Sequence, residues 1–466
     1  MLRKPSIVTI IPRGEVLRNF GLTGTLDRLA SNANLSVVSV TPPESCRELM
    51  AHSAMHIFPL TEFREHWLVR IQREILDIAH GRQLWSQAAQ ARWRTRDLEA
   101  FTPGQKVKRF GKKAVGIAMA NRTGLNLLSR TERSASRLLS HRKVYDGFYK
   151  SVRPSLVFNG SHIHSRNAIQ AVQSAQWLGI PTATFVFSWD NLTSQGRIIL
   201  PYDYFLVWNQ ALKEQLLEMY DWIKPENVFV TGTPQFDFHF RPEFYLSRNE
   251  FCDLIGADVS RPIILYSTGM ANHMPGEPEI VEQIADMLDG LGTPRPQLLV
   301  RVYPKDQTGR FDDLKRRRTD ILFPNVAWEA EGFTPKAEDS YALVNSLRHC
   351  AVGINVASTI SLELCMFDKP VINVAYNPTS VSEKEISYRS YYEFDHYKPV
   401  VASGAVRVAK CEREMRELLR SSLENPAAER SERKNLIAQM FGNTLDGKSS
   451  VRVADTLLQL AGAKAG

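Results

Sequence analysis

Cysteine is scarce in this 466-residue sequence, and none of its five cysteines lies in a CxxC pair or beside histidines at metal-site spacing. This pattern favours a reduced, cytoplasmic protein without a zinc site or a disulfide framework. The sequence also lacks any apolar run of the roughly 18 to 20 residues that a membrane-spanning helix needs. The N-terminal MLRKPSIVTII has too short an apolar run for a signal peptide, so we expect it to form the first strand.

Two motifs of phosphate and metal chemistry are missing as well. The N-terminal half has no glycine-rich phosphate loop, and no DxD-like acidic pair follows a predicted strand. The Asp312-Asp313 pair lies in a charged run that we interpret as surface. We therefore predict a protein that needs no metal ion and no cofactor other than its co-substrate.

The positive charge of the chain is concentrated in one segment. Between Arg82 and Lys143 there are 15 Lys and Arg against three acidic residues, although the whole chain carries a net charge of only +8. Trp85, Trp93 and Phe110 lie among these cations. A basic helical face with aromatic residues suits an anionic membrane surface or a lipid-linked acceptor, whereas a solvated helical hairpin is the simpler interpretation. We expect no nucleic-acid binding, since no nucleic-acid motif accompanies the segment. The expected location is cytoplasmic, with the inner face of the cell membrane as a peripheral site.

The hydrophobic pattern predicts two successive sets of alternating strands and helices. With 43% hydrophobic and 23% charged residues, the composition is that of a globular protein of two to three domains. Runs such as SIVTII and PTATFVF are typical of strands that a parallel sheet buries on both faces. We predict an α/β fold of two Rossmann-like, doubly wound domains facing a cleft. The predicted domains are residues 1–234 with a basic helical insertion at about 61–150, residues 235–440, and a C-terminal helix within 441–466 that packs back on the first domain.

Polar residues follow several predicted strands of the second domain. Hydroxyl and backbone N–H groups at the start of a helix suit a diphosphate, and a carboxylate one turn later suits ribose hydroxyls. For Ser358, Thr359 and Glu363, an ordinary helix N-cap at Ser358 with a solvated Glu363 is an equally good explanation. We predict donor-nucleotide binding by Ser267, Thr268, Arg301, Tyr303, Lys305, Ser358, Thr359 and Glu363.

The predicted strand ends of the first domain carry ionisable groups instead. We expect this domain to hold the acceptor and the catalytic base, with Asp190, Glu15 and His162 as the candidates for the base. A turn-forming aspartate and structural histidines are the competing interpretations. The predicted acceptor-binding residues are Arg13, Arg18, Asn19, His164 and Asn191.

The order of these motifs resembles glycosyltransferases of GT-B fold, and within them the CDP-glycerol glycerophosphotransferase-like, teichoic-acid-type group. The resemblance covers about two-fifths of the chain, from 190 to 375. It is carried by SWDNLTSQG, YDYFLVWN, VFVTGTPQFD, IILYSTGM, RVYPKD and DSYALVNSLRHCAVGINVASTISLELCMFDKPVI. It implies that Ser358 and Thr359 contact the nucleotide diphosphate, that Glu363 lies near the nucleotide, and that Asp190 stands where the group has the histidine of a Trp-His-Gly motif.

Two departures from this group bear on the reaction. Asp190 replaces the histidine that is the proposed base, and Tyr303-Pro304 replaces a His-Pro pair that faces the phosphates. Both favour a sugar donor and a carboxylate base. We predict a metal-independent, inverting glycosyltransferase that moves a sugar from a nucleotide-sugar to a cell-surface glycan or a lipid-linked acceptor. The alternatives are a UDP-sugar 2-epimerase-like isomerase and a CDP-alcohol phosphotransferase of the teichoic-acid type.

Overall fold

The computed structural model describes residues 4–50, 56–61, 63, 65–139, 142–163, 165–324, 328–329 and 334–462. These residues divide into two compact units. The first unit comprises the chain up to Asp237, a short segment ending at Thr334, and the C-terminal part from Thr444. The second unit comprises Phe238–Glu329 and Pro335–Asn443.

The first unit contains a seven-stranded sheet in which all neighbouring strands are parallel. Its spatial order is β3-β2-β1-β4-β5-β6-β7. The central strands are almost entirely buried because their Val, Ile, Leu and Phe side chains alternate between two helix-covered faces. The strands are β1 (Ser6–Ile11), β2 (Asn34–Ser39), β3 (His56–Pro59), β4 (Leu156–Asn159), β5 (Thr182–Phe185), β6 (Tyr204–Val207) and β7 (Val228–Val230).

Helices α1 to α11 belong to the first unit, together with a π-helical turn at Arg18–Leu22. They are α1 (Gly14–Leu17), α2 (Thr25–Asn32), α3 (Pro43–Glu48), α4 (Trp67–Leu84), α5 (Gln87–Leu98), α6 (Pro103–Ala118), α7 (Arg122–Leu139), α8 (Asp146–Val152), α9 (Ser165–Trp177), α10 (Asn191–Ser194) and α11 (Gln210–Met219). Helices α4 to α7 form the helical insertion between β3 and β4. A buried hydrogen-bonded group joins the insertion to the Rossmann core, because Ser136 Oγ accepts from Arg73 Nη2 at 3.2 Å and from Gln173 Nε2 at 2.7 Å.

The last helix of the chain is also part of the first unit. The carboxylate of Asp237 accepts from the backbone N–H groups of Ser449 (3.1 Å) and Ser450 (2.7 Å), which lie in the first turn of α20 (Ser449–Gly462). A carboxylate at this position satisfies N–H groups that have no partner within the helix. Arg28 of α2 forms a bidentate ion pair with Asp455 of α20. The C-terminal helix therefore completes one layer of the first unit.

The second unit contains a six-stranded sheet with the order β10-β9-β8-β13-β14-β15, again with parallel neighbours. Its strands are β8 (Ile263–Ser267), β9 (Gln297–Arg301), β10 (Ile321–Leu322), β13 (Val352–Asn355), β14 (Val371–Val374) and β15 (Arg407–Ala409). Two-residue strands β11 (Trp328–Glu329) and β12 (Thr334–Pro335) lie between β10 and β13 in the chain. The predicted pair of Rossmann-like, doubly wound sheets is thus confirmed.

The helices of the second unit cover both faces of this sheet, and Ile264, Val300, Ile354 and Ile372 of the strands are completely or almost completely buried beneath them. The helices are α12 (Arg248–Ile255), α13 (Glu277–Met287), α14 (Asp312–Arg317), α15 (Ala337–His349), α16 (Ile360–Met366), α17 (Lys398–Ala402), α18 (Glu412–Glu424) and α19 (Arg430–Phe441). Short 3₁₀ turns lie at Arg142–Tyr145, Pro225–Asn227, Pro234–Phe240, Pro242–Phe244, Tyr388–Glu393 and Gly442–Thr444.

Candidate functional site

Each sheet has one point at which the strand order reverses. In the first unit this point lies between β1 and β4, and in the second unit it lies between β8 and β13. Connections from the two strands leave toward opposite faces there, which opens a crevice at the carboxyl edge where ligands of doubly wound folds bind. The predicted residues Glu15 and His162 follow β1 and β4, whereas Ser267-Thr268 and Ser358-Thr359 lie at the carboxyl ends of β8 and β13.

In the second unit, the loops after β8 and β9 are joined by Thr268. Its backbone N–H donates to the carbonyl of Arg301 at 3.1 Å, and its Oγ1 accepts from the backbone N–H of Tyr303 at 2.8 Å. Ser267 is buried beside it, and Lys305 lies with its Nζ 5.8 Å from the centre of the Tyr303 ring. Ser267, Thr268, Tyr303 and Lys305 are therefore brought together at one edge, as predicted.

A buried ion pair stabilises the loop after β8. The carboxylate of Glu277, completely buried, accepts from the backbone N–H of Gly269 at 2.9 Å and from Arg310 Nη2 at 2.9 Å. Arg310 Nη2 also donates to the carbonyl of Gly269 at 2.9 Å. Burial raises the pKa of Glu277 to about 7, although the Arg310 charge opposes this shift. Sequence reasoning missed both residues, because 33 positions separate them and neither lies in a motif.

Arg301, predicted to bind the donor, has a buried carboxylate partner. Its Nη2 donates to both oxygens of Asp339, at 2.6 and 2.8 Å. The indole Nε1 of Trp328 donates to Asp339 as well, at 2.8 Å. Burying a guanidinium without a counter-charge is costly, so this pair has a structural role at the strand end, and donor binding by Arg301 remains a prediction.

The loop after β13 has a strained backbone, and buried hydrogen bonds fix its position. Ala357 adopts φ +35°, a left-handed conformation that residues other than glycine rarely take and that often marks functional loops. The side-chain oxygen of Asn355 accepts from the backbone N–H of Ser358 at 3.1 Å and from Ser361 Oγ at 3.1 Å. Tyr397 donates to Ser361 Oγ at 2.8 Å. This buried network sets the position of Ser358 and, next to it, Thr359. Helix α16 has only seven residues, so the hydroxyl groups and not the helix dipole are the main feature.

Glu363 has a partner that sequence reasoning missed. His239 Nε2 lies 2.7 Å from Glu363 Oε2, and both side chains are buried. A carboxylate accepts about four hydrogen bonds, so the contact with His239 does not exhaust Glu363. The pair joins positions 124 residues apart, and PQFDFHF reads as an aromatic turn, so no local signal identifies His239.

The first unit places an ion pair after β1. Glu15 Oε2 lies 2.8 Å from Arg13 Nε, and the Glu15 side chain is buried. Asn19 accepts from Arg18 Nε at 3.1 Å and Nη2 at 3.0 Å, one turn further on. The four residues predicted from this loop thus pair with one another in sequence order.

His162 follows β4 and is buried. Its Nδ1 lies 3.3 Å from the carbonyl oxygen of Phe185 and 3.3 Å from the backbone nitrogen of Phe187, at the end of β5. Burial lowers the pKa of His162 to about 4, while the Phe185 carbonyl and the charge of Asp190 act in the opposite direction. His162 is therefore neutral near pH 7 and lies within electrostatic range of Asp190. His164 lies outside the described residues.

Asp190 immediately precedes the four-residue helix α10 and is half-buried. Its Oδ2 accepts from Ser194 Oγ at 2.6 Å, and its Oδ1 accepts from Asn191 Nδ2 at 3.3 Å. The helical insertion supports this turn, since Arg92 Nη1 donates to the carbonyl of Ser194 at 3.1 Å. Asp190 is thus a turn-former at the carboxyl edge of the sheet, and its charge acts on the buried imidazole of His162.

The chain matches no family model and no curated protein by sequence. Its structure is similar to that of UDP-GlcNAc 2-epimerase from Neisseria meningitidis bound to UDP-GlcNAc, with a TM-score of 0.53, 12% identity, and coverage of 98% of this chain and 100% of that one. Another UDP-N-acetylglucosamine 2-epimerase gives 0.55 at 12% identity, covering 99% and 97%. A glycosyltransferase from Rickettsia africae gives 0.51 at 11% identity, covering 98% and 99%. At these identities the likeness shows the fold, which is of the GT-B type. None of these three is a CDP-glycerol transferase, so that finer resemblance stays a prediction.

Proposed function

We propose that the chain is an enzyme that acts on a nucleotide-sugar, with the nucleotide bound at the carboxyl edge of the second unit. The observation that carries the proposal is the strand order, because it brings Ser267-Thr268 and Ser358-Thr359 to the two neighbouring strand ends at the reversal point. Ligands of doubly wound folds bind at such points. The hydroxyls would donate to the diphosphate oxygens, and Glu363 would accept from the ribose.

The reaction that the structural neighbours favour is epimerisation of a UDP-sugar at carbon 2. Two of the similar structures are UDP-GlcNAc 2-epimerases, one of them bound to UDP-GlcNAc. Inversion at this carbon removes a proton on one face of the sugar and returns a proton on the other face. Asp190, Glu15 and His162 are the candidates for these steps, and His162 is neutral near pH 7.

Glycosyl transfer is the second candidate, and the Arg13–Glu15 ion pair favours it. The Arg13 guanidinium occupies Glu15 Oε2 at 2.8 Å, which leaves Asp190 as the main candidate for a carboxylate base. A single displacement at the anomeric carbon needs one base, which deprotonates the acceptor hydroxyl while the nucleoside diphosphate leaves. A glycan or lipid-linked acceptor remains the proposal for this reaction.

Incubation with UDP-sugars in D₂O, followed by proton NMR, tests the two reactions against each other. Epimerisation would convert a UDP-sugar without any acceptor and would place deuterium on carbon 2. Transfer would leave the donor unchanged until an acceptor is added. We propose that either reaction proceeds without a metal ion, so turnover should survive EDTA.

Nucleotide binding is tested separately by thermal shift. A nucleotide at 100 times its Kd should stabilise the protein by about 2.7 kcal/mol. Ser358→Ala combined with Thr359→Ala should abolish this shift, whereas Ser421→Ala, an exposed serine of α18, should keep it. If no UDP-, CDP-, GDP- or CMP-linked compound shifts the wild-type protein, the proposed function is wrong.

A further inference from the structure

Helix α6 turns its apolar face outward. Val107, Phe110 and Ile117 follow a spacing of three, then seven residues, which aligns them along one stripe of a helix. Their side chains are 71%, 74% and 48% exposed, and Val115 on the edge of the stripe is 47% exposed. A surface helix of a globular protein normally directs such a stripe toward the core.

The opposite face of α6 carries charges and packs inward. Lys113 Nζ lies 2.7 Å from Asp97, Arg109 Nε lies 3.0 Å from the same carboxylate, and Lys112 forms an ion pair with Glu74 of α4. Gly116 lies against α4 so closely that a Cβ there would come within 2.4 Å of Ile78 Cγ2. The ion pairs and the close approach hold the helix in this rotation, so the outward stripe is built into the fold.

The exposed stripe continues into the turn between α5 and α6, and cations flank it. Leu98 is 69% and Phe101 is 80% exposed, and exposed Lys106 and Lys108 lie on either side of the stripe. We call this set the α6 surface; it consists of Leu98, Phe101, Lys106, Val107, Lys108, Phe110, Val115 and Ile117.

The acidic residues of the basic segment do little to neutralise the α6 surface. Asp97 is shared by Arg109 and Lys113, and Glu132 is buried with Arg73 at 2.6 Å. The remaining acid, Glu99, lies 3.6 Å from Arg96. An apolar patch with a positive border marks an interaction site whose partner offers hydrocarbon and negative charge together.

We propose that the α6 surface binds in the plane of an anionic phospholipid membrane. Apolar side chains enter the boundary between headgroups and acyl chains, while flanking lysines contact the anionic headgroups. Self-association of two copies through the same face would bring Lys106 and Lys108 of one copy against those of the other, which like charge disfavours. None of the described helices is long and apolar enough to cross a membrane, so binding is peripheral through these helices.

Co-sedimentation of the full chain with lipid vesicles tests the proposal. The protein should pellet with phosphatidylcholine vesicles that contain phosphatidylglycerol, should stay in the supernatant with phosphatidylcholine alone, and should be released by added salt. Val107→Ser with Phe110→Ser should lower the partition coefficient at least tenfold, by about the loss expected for two apolar side chains. Lys106→Gln with Lys108→Gln should lower it by about fivefold for each lysine.

Matched control variants distinguish vesicle binding by the α6 surface from nonspecific adsorption of the protein to vesicles. Leu254→Ser with Val259→Ser removes two exposed apolar side chains of the second unit, at 59% and 46% exposure, and should leave vesicle binding unchanged. Lys410→Gln with Lys434→Gln removes two exposed lysines elsewhere and should have at most a small effect. A Phe110→Trp variant should show a blue-shifted emission that brominated acyl chains quench.

Several results would overturn the proposal. One is a wild-type protein that stays in the supernatant with both kinds of vesicle. Another is a Val107→Ser, Phe110→Ser variant that pellets like the wild type while Phe110→Trp shows no quenching. A concentration-dependent dimer that this double variant dissociates would assign the surface to a second copy of the chain.

Discussion

The two parallel sheets have the same strand order around the reversal point, yet their carboxyl edges differ in chemistry. The first unit presents Asp190, Glu15 and His162, whose partners are near neighbours in the chain or backbone groups. The second unit holds its edge with buried pairs of distant residues, Arg310–Glu277, Arg301–Asp339 and His239–Glu363. Topology determines where the loops gather, and the side chains determine whether an edge carries locally paired ionisable groups or buried pairs of distant residues.

The largest effect that tests this comparison is on turnover. Asp190→Asn keeps the size of the side chain but removes the proposed base, so we expect turnover of a UDP-sugar to fall by about 10²- to 10⁴-fold. Nucleotide binding, measured by thermal shift, should survive, because we propose that the nucleotide binds to the other unit. Asp253→Asn, an exposed aspartate of α12, is the control and should keep full activity. Full turnover in Asp190→Asn would transfer the role to Glu15 or His162.

The next effect concerns the rigidity of the second edge. Glu277→Ala leaves the partly buried Arg310 guanidinium without its carboxyl partner, and we expect a loss of about 3–5 kcal/mol in unfolding free energy near neutral pH. Urea denaturation measures this loss. On the same helix, Glu282 forms an exposed pair with Arg317, so Glu282→Ala should cost only about 0.2–1 kcal/mol. Equal losses of unfolding free energy in the two variants would show that the Arg310–Glu277 pair does not stabilise the fold more than an exposed pair does.

Opposite pH responses are expected from the two edges. Burial lowers the pKa of His162 to about 4, below its unfolded value, so its contribution to stability is lost as pH falls from about 6.5 toward 4. Burial raises the pKa of Glu277 to about 7, so its contribution is full below about 4.5 and is lost as pH rises through 7. Each contribution is on the order of 3 kcal/mol.

Urea denaturation across this pH range checks both directions. The difference between wild type and His162→Asn should shrink as pH falls, whereas the difference between wild type and Glu277→Gln should shrink as pH rises. Parallel trends in the two variants would show that burial does not govern both groups.

The smallest effects concern the helical insertion, which distinguishes the first unit from the second. Gly116→Ala places a Cβ against Ile78 and should cost about 1–3 kcal/mol. Gly111→Ala, with nothing within 4 Å of its Cβ, should stabilise the helix by about 0.5–1 kcal/mol. Thermal melts measure both changes. Equal responses would mean that α6 does not pack on α4 with position 116 facing inward.

Much of the architecture could be predicted from sequence because secondary structure follows local patterns. SIVTII predicts β1 with its observed bounds, Ser6–Ile11, since an unbroken apolar, β-branched run suits a strand buried on both faces. The apolar run predicts the second strand at Ser36–Val40, whereas the strand lies at Asn34–Ser39, because hydrogen bonds to β1 and not apolar content determine its ends.

Pairings between distant residues could not be predicted in the same way. Arg301 is predicted to bind the donor, yet its guanidinium, at the end of β9, donates to Asp339 of α15. Glu363 is predicted to bind the donor nucleotide, and His239 contacts it from a position 124 residues earlier, which no local pattern indicates. Which carboxylate meets which cation depends on strand neighbours, and one sequence carries no record of strand neighbours.

By itself, the sequence determined the alternation of strands and helices, the two Rossmann-like sheets, the polar strand ends and the basic segment, since each depends on residues close together in the chain. Only the tertiary structure decided that Lys112 and Lys113 of α6 face the neighbouring helices while Phe110 faces solvent. The periodicity of an amphipathic helix defines two faces, but the partners across the fold, here Glu74 and Asp97, select the one that is buried.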